Sequence, residues 1–182
     1  MAGIEALLRS YEKHVFLPWE SDLAGSQKVW FAVYNPMDER RLRTRIGEFE
    51  QATRRAQHEW RHCDVTPLFA EWMAAHRYRD SYFLKPESMT MALSKFERHV
   101  ADTLRSALDD ENTDENTVVA VSGVASLFGL MRVSSVLDTV RHSIKGRLLV
   151  FFPGERDGAN YRLLDARDGW SYLAIPIIAQ EN

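Results

Sequence analysis

Short apolar runs alternate along the chain with longer amphipathic stretches, and this alternation constrains the fold more than any other feature. Runs rich in β-branched and aromatic residues predict strands at 28–35, 60–65, 117–121, 147–152 and 172–178. Apolar residues at helical spacing predict helices that open the chain and then cover 38–57, 87–108 and 136–144, and Thr66-Pro67 predicts a further helix start. Strands that alternate with helices are typical of βαβ units. The sequence therefore predicts a single three-layer α/β domain over residues 1–182, Rossmann-like or resembling a degenerate P-loop fold, with a mainly parallel sheet and helices on both faces.

Three local features refine this pattern. Residues 109–117 contain five acidic side chains in nine and no apolar one, which predicts an exposed acidic loop. Pro153 and Gly154 directly follow the run 147–152 and predict a structural turn at the end of that strand. Because proline cannot donate a hydrogen bond to a neighbouring strand, Pro176 predicts that the last strand lies at an edge of the sheet.

The charge balance and the cysteine count exclude several classes of protein. Twenty-three Lys and Arg against 26 Asp and Glu give a net charge of −3, which argues against a dedicated DNA-binding or membrane-surface protein. Cys63 is the only cysteine, so no intramolecular disulfide can form. The longest uncharged run, residues 116–131, is too short and too interrupted by polar residues to span a bilayer. We expect a cytoplasmic protein with no membrane partner.

Candidate binding residues follow the predicted strands. Ligands of open parallel sheets bind beyond the carboxyl ends of the strands, which here points to Asn35, Asp64, Ser122-Gly123 and Pro153-Gly154. Arg132 precedes Ser134-Ser135 at a predicted helix start, where an arginine can bind an anion. We therefore take Arg132, Ser122, Gly123 and Asp64 as ligand-binding or partner-binding candidates. The ordinary alternatives are a surface ion pair for Arg132, a tight turn for Ser122-Gly123 and a helix cap for Asp64.

His58-Glu59-Trp60-Arg61-His62 matches the zinc-protease pattern H-E-x-x-H. On a helix, His58 and His62 would share one face and bind zinc, and Glu59 would act as the general base. If a strand begins at Trp60 instead, the two histidines do not share a helix face. A zinc-dependent hydrolase is therefore an alternative that depends on local structure.

Other catalytic and cofactor motifs are missing from the sequence. It contains no G-x-x-x-x-G-K-[ST] loop, no G-x-G-x-x-G turn and no G-x-S-x-G elbow. Cys63 lies in a predicted strand, where a lone thiol is more often a core residue than a nucleophile. The sequence thus predicts no catalytic residue and no cofactor.

The order of features from 118 to 177 is more specific than the fold class requires. It comprises Val-Val-Ala-Val-Ser-Gly-Val at 118–124, Leu127-Phe128, Arg132, Ser135-Val-Leu137, Leu-Leu-Val-Phe-Phe-Pro-Gly at 148–154, and Tyr172-Leu-Ala. This order resembles the BrxB family of BREX phage-defence systems, and the segments 31–34 and 63–69 agree with the family more loosely. The resemblance makes 60–65 a strand. It also implies a small cytoplasmic protein without an established catalytic centre, which acts beside a PglZ-type protein and other defence components that handle DNA.

Three functions from different classes remain open. The first is a non-enzymatic adaptor within a BREX-like complex, which binds a PglZ-like protein and associates with DNA only indirectly. The second is a nucleotide or nucleic-acid binding module that uses the strand-end loops and the seven arginines between positions 40 and 61. The third is the zinc hydrolase. An adaptor requires an exposed apolar or aromatic patch, for which the candidates are Trp19, Trp72, Tyr78, Tyr82 and Phe83.

Overall fold

Strands and helices alternate through the first four strands, as the sequence predicts, and within the described residues the last three strands follow without an intervening helix. The computed structural model describes residues 3–166 and 169–180. Within these ranges the strands are β1 (Val29–Tyr34), β2 (Glu59–Asp64), β3 (Thr117–Ser122), β4 (Arg147–Asp157), β5 (Asn160–Leu163), β6 (Trp170–Ser171) and β7 (Ile175–Ile178). The helices are α1 (Ile4–Val15), α2 (Glu39–Arg55), α3 (Leu68–Ala74), α4 (Arg79–Leu84), α5 (Thr90–Asp109) and α6 (Val133–Val140).

The main sheet is parallel and has the strand order β2-β3-β4-β1-β7. Each neighbouring pair in this order is parallel, so the carboxyl ends of all five strands meet at one edge. The far end of β4 leaves the sheet and forms an antiparallel hairpin with β5, which also pairs with β6. β7 lies beside β1 at the end of the order, which confirms the edge position predicted from Pro176.

Helices cover both faces of the sheet, and the predicted three-layer α/β architecture is confirmed. Leu149 and Phe151 of β4 pack into one core with α1 and α2, while Val150 and Phe152 pack into a second core with α5 and α6. Because successive side chains of a strand point to opposite faces, a strand covered on both sides must be apolar throughout. This requirement explains the continuous apolar run of β4. In α1, the helical spacing of Ile4, Leu7, Tyr11 and Val15 gives the buried face of that helix.

The prediction of a structural turn at Pro153 and Gly154 is wrong. β4 continues through both residues to Asp157, and they mark a change of partner strand. Pro153 is still in register with Tyr34 of β1, whereas Gly154 is in register with Leu163 of β5. A Cβ atom on Gly154 would lie 2.0 Å from the carbonyl oxygen of Arg162, so glycine is required there by the close approach of β5.

The segment between the second and third strands also differs from expectation. The predicted helix 87–108 begins later, at Thr90, and the sequence did not predict α4. The acidic loop lies between the end of α5 and the start of β3, as predicted, but it is anchored at Thr113. This residue is buried, and its carbonyl oxygen accepts a hydrogen bond of 2.8 Å from Nζ of Lys145.

None of the helices within the described ranges is both long enough and apolar enough to cross a membrane.

Candidate functional site

Asp64 ends β2 and organises the turn that follows it. Its Oδ1 accepts a 2.9 Å hydrogen bond from the backbone N–H of Thr66 and a 2.5 Å hydrogen bond from the Thr66 hydroxyl. This arrangement is an Asx turn, in which a side chain replaces a backbone carbonyl as acceptor. Burial opposes ionisation of Asp64, but the two hydrogen bonds from Thr66 and the nearby charge of Arg43 outweigh it and lower the pKa of Asp64. Asp64 therefore shapes the strand end as a carboxylate.

Gly123 packs directly against this turn from the end of β3. Its φ angle is +86°, and a Cβ atom built on it would lie 2.1 Å from Oγ1 of Thr66 and 2.8 Å from Oδ1 of Asp64. Ser122 is in register with Asp64 across the β2–β3 pair. The structure thus brings together three of the four candidate residues, Asp64, Ser122 and Gly123.

Arg43 connects the ends of two strands that are not neighbours in the sheet. Its guanidinium donates a 2.9 Å hydrogen bond to Oγ1 of Thr66 after β2 and a 2.8 Å hydrogen bond to Oε1 of Glu39 after β1. The hydroxyl of Tyr34, at the end of β1, donates to the other oxygen of Glu39. Burial, and then this hydrogen bond and the charge of Glu39, raise the pKa of Tyr34, so its hydroxyl remains protonated. Sequence reasoning missed this chain of contacts, which depends on the strand order.

Ser122 and His62 form a hydrogen-bonded pair that lacks the other requirements of a nucleophilic site. Oγ of Ser122 lies 2.8 Å from Nε2 of His62, but Ser122 is only 3% exposed. Burial lowers the pKa of His62. Within 3–166 and 169–180, no carboxylate hydrogen-bonds to the other nitrogen of His62. A hydrolytic triad requires such a carboxylate and an accessible nucleophile, so the pair does not have the geometry of a triad.

The H-E-x-x-H pattern does not form a helical metal site. His58 directly precedes β2 and His62 lies within it, so the pattern is extended rather than helical. Four residues of extended chain span about 13 Å, too far for two ligands of one zinc ion. His58 instead stacks on Trp19, with ring centroids 3.6 Å apart, and its Nδ1 lies 2.5 Å from Oδ1 of Asn116. No group of three or more His, Cys, Asp or Glu among the described residues is arranged to hold a metal.

Arg132 lies apart from the strand-end turn. It directly precedes α6, and its carbonyl oxygen accepts a 3.1 Å hydrogen bond from the backbone N–H of Ser135. Ser134 and Ser135 lie in the first turn of α6 and do not cap it. The Arg132 side chain is exposed, and it forms no ion pair with any residue in the described ranges. Its role as a binding residue stays a prediction.

A cavity of about 570 Å³ opens at the carboxyl ends of β1, β4 and β7. Its walls come from the start of α1, the turn after β1, the base of the β4–β5 hairpin and the end of β7. Of the strand-end candidates, Asn35 and Gly154 line it, while Asp64, Ser122 and Gly123 do not. The volume is typical of ligand sites. The carboxyl edge therefore contains a packed polar turn at β2–β3 and an open cavity at β1, β4 and β7.

The arginine-rich helix is largely neutralised by ion pairs. Six of the seven arginines between positions 40 and 61 contact a carboxylate: Arg41 with Asp38, Arg43 with Glu39, Arg45 with Glu5, Arg54 with Glu50, Arg55 with Glu12 and Arg61 with Asp110. A nucleic-acid interface needs cations that are free to contact phosphates. Most of the arginines on this helix already have a carboxylate partner, which disfavours this role.

An exposed apolar surface surrounds α4. Four side chains contribute to it, with exposed fractions of 52% for Tyr78, 70% for Phe83, 84% for Leu84 and 88% for Met91. We call these four residues the α4 surface. Trp72 and Tyr82 are half-buried beside it and contact His76. Trp19 does not belong to it, because its ring packs against Trp30 and His58.

The comparison with protein families identifies the chain's relatives. The model of the family described as BREX protein BrxB matches residues 69–177, which is more than half of the chain. The chain belongs to the BrxB family. This membership confirms the resemblance found in the sequence and places the protein in BREX phage-defence systems, as part of a complex with other components. Comparisons with curated proteins and with solved structures gave no match.

The matched segment contains the α4 surface, Ser122, Gly123, Arg132, Pro153 and Gly154. Asp64 and the arginine-rich helix precede it. The family match therefore covers α4, a helix that the sequence did not predict.

Proposed function

We propose that this BrxB-family protein is a non-enzymatic adaptor that binds a PglZ-type component of a BREX complex through the α4 surface. The observation that carries the proposal is that α4 buries none of its residues, while Phe83 and Leu84 at its end are 70% and 84% exposed. Helices of soluble domains normally turn their apolar residues toward a core. Contiguous exposed apolar residues with a polar rim are typical of protein interaction sites.

The energetics of the α4 surface favour a protein partner. A six-residue helix is too short to be stable by itself in water, so contacts with its surroundings must hold it. Burying one Phe or Leu side chain completely contributes about 1.5–3 kcal/mol. Two such residues side by side can form the centre of an interface, where a few residues account for most of the binding energy.

Charges around the α4 surface indicate the chemistry of the partner. Arg77, Arg79 and Lys85 flank it, against the two acids Asp80 and Glu87. Asp80 pairs with Arg79 at 3.6 Å. Arg77 lies over the ring of Tyr78, with its guanidinium carbon 5.4 Å from the ring centroid. A complementary surface on the PglZ-type protein would be apolar with acidic residues at its rim.

The alternative of a nucleotide or nucleic-acid binding module has less support. Five of the six arginines of α2 are paired with carboxylates, and the described side chains that line the 570 Å³ cavity include acidic but no basic ones. Both features oppose phosphate binding. The zinc hydrolase has no supporting geometry, because the extended chain from His58 into β2 holds the two histidines too far apart to share a zinc ion.

Affinity purification from cells that carry the complete BREX system tests the proposal. The tagged wild-type protein should retain the PglZ-type component, and Phe83→Ser/Leu84→Ser should lose most of it. Phe16→Ser/Leu17→Ser is the matched control, because these residues are also adjacent and exposed, at 57% and 56%, but directly follow α1. Equal recovery with both double variants, or no recovery with the wild type, would contradict the proposal.

A further inference from the structure

The cavity at the ends of β1, β4 and β7 has an apolar interior, and its apolar lining residues become more exposed toward the opening. Ile4 and Leu7 of α1 line it and are each 1% exposed, and Val33 of β1 is 8% exposed. At the mouth, Met37 is 90% exposed and Ile178 is 43% exposed. An apolar surface thus runs from inside the cavity to the exterior, so an occupant can be longer than the cavity itself.

Carboxylate side chains flank this apolar surface on two sides. Asp38 follows β1, while Glu155 and Asp165 lie at the base of the β4–β5 hairpin. Asp38 is 3.5 Å from the exposed Arg41, whereas neither Glu155 nor Asp165 has an ion-pair partner within 3–166 and 169–180. The described lining contains no Lys, Arg or His. The charge of the described lining therefore favours a cation over a phosphate.

We infer that this cavity binds a segment of another BREX protein that carries a lysine or arginine next to apolar residues. Lysine and arginine have aliphatic stems that pack on apolar surface while the charged head stays at the rim. An apolar floor with an acidic rim is complementary to such a side chain. The volume of about 570 Å³ exceeds that of one side chain, so neighbouring residues of the segment also enter. This site is separate from the α4 surface, and an adaptor with both could hold two components together.

The inference can be tested with overlapping peptides that together cover the sequences of the other components of the same BREX system. Binding of each peptide to the full-length chain is measured by fluorescence polarisation. Glu155→Lys/Asp165→Lys reverses the rim charge. Glu111→Lys/Glu115→Lys is the matched control, because it makes the same change of charge on exposed residues of the acidic loop. We expect at least one peptide with Lys or Arg beside apolar residues to bind the wild type and the control, and to bind the rim variant at least tenfold more weakly.

Three results would overturn the inference: no tiled peptide binds, the bound peptides contain no basic residue, or both charge variants bind equally. If the double rim variant does not fold, Asp165→Asn removes one exposed charge and should still weaken binding measurably. Phe83→Ser/Leu84→Ser should leave peptide binding unchanged. This last comparison separates failure of the cavity site from failure of the α4 surface.

Discussion

Replacing Gly123 by alanine tests whether the strand-end turn depends on the close approach of β3 to Asp64 and Thr66. Gly123 has a φ angle of +86°, and an added Cβ would lie 2.1 Å from Oγ1 of Thr66. The substitution therefore has two costs. An L-residue in the left-handed region costs about 1–2 kcal/mol. The turn must also move, which disturbs the hydrogen bonds of Thr66 with Arg43 and Asp64.

Gly129→Ala separates these two costs. Gly129 has a φ angle of +76°, and its added Cβ would have no neighbour within 4 Å, so only the backbone cost applies. Each disturbed hydrogen bond contributes about 1 kcal/mol. We expect a loss of about 1–2 kcal/mol for Gly129→Ala and about 2–4 kcal/mol for Gly123→Ala. The smaller entropy of the unfolded alanine chain offsets part of the loss equally in both variants.

Thermal unfolding followed by circular dichroism measures the difference. With about 3 °C per kcal/mol for a domain of this size, Tm should fall by about 3–6 °C for Gly129→Ala and about 6–12 °C for Gly123→Ala. Equal shifts in the two variants would show that Gly123 does not pack against the turn and would refute the reasoning. Arg43→Gln in the Gly123→Ala background should then cost less than it does in the wild type, because the link to Thr66 is already disturbed.

Three other predictions follow from particular contacts. Gly154→Ala should lower Tm, because the new Cβ would lie 2.0 Å from the carbonyl oxygen of Arg162, and an unchanged Tm would contradict that packing. Burial, and for His14 also the charge of Arg147, lowers the pKa values of His14 and His62, so the unfolded chain binds protons more readily. The free energy of unfolding in urea should therefore fall as the pH drops below about 6.5, and a pH-independent value between pH 7.5 and 5.5 would be inconsistent with lowered pKa values of these two histidines. Arg132→Ala should leave Tm unchanged, since the side chain is exposed, while weakening protection against phage in a plaque assay; full protection would make Arg132 an ordinary surface residue.

The buried strands could be predicted from the sequence because a strand that is covered on both faces must be apolar along its whole length. The meeting of Asp64 with Ser122 and Gly123 was also predictable, since carboxyl ends of parallel strands share one edge. Pro153 and Gly154 show the limit of local signals. A Pro-Gly pair indicates a break in regular pairing, but only the position of β5 shows that the break is a change of partner.

The missed features have physical reasons too. α4 has no buried face and therefore no apolar stripe, so its sequence lacks the pattern by which amphipathic helices are recognised. The hydrogen bond from Arg43 to Thr66 depends on the strand order of the sheet, in which two strands lie between β1 and β2. The cavity combines residues from α1, β1, β4 and β7, which no local pattern brings together.

Direct titration of the purified protein with the purified PglZ-type component tests the adaptor function most directly. Leu84→Asp places a charge on the α4 surface, at a side chain that is 84% exposed in the free protein and contributes nothing to its core. We expect an unchanged Tm and a Kd at least tenfold higher than that of the wild type, which corresponds to a loss of about 1.4 kcal/mol or more. A Kd equal to that of the wild type, or no binding by the wild type itself, would contradict the proposal.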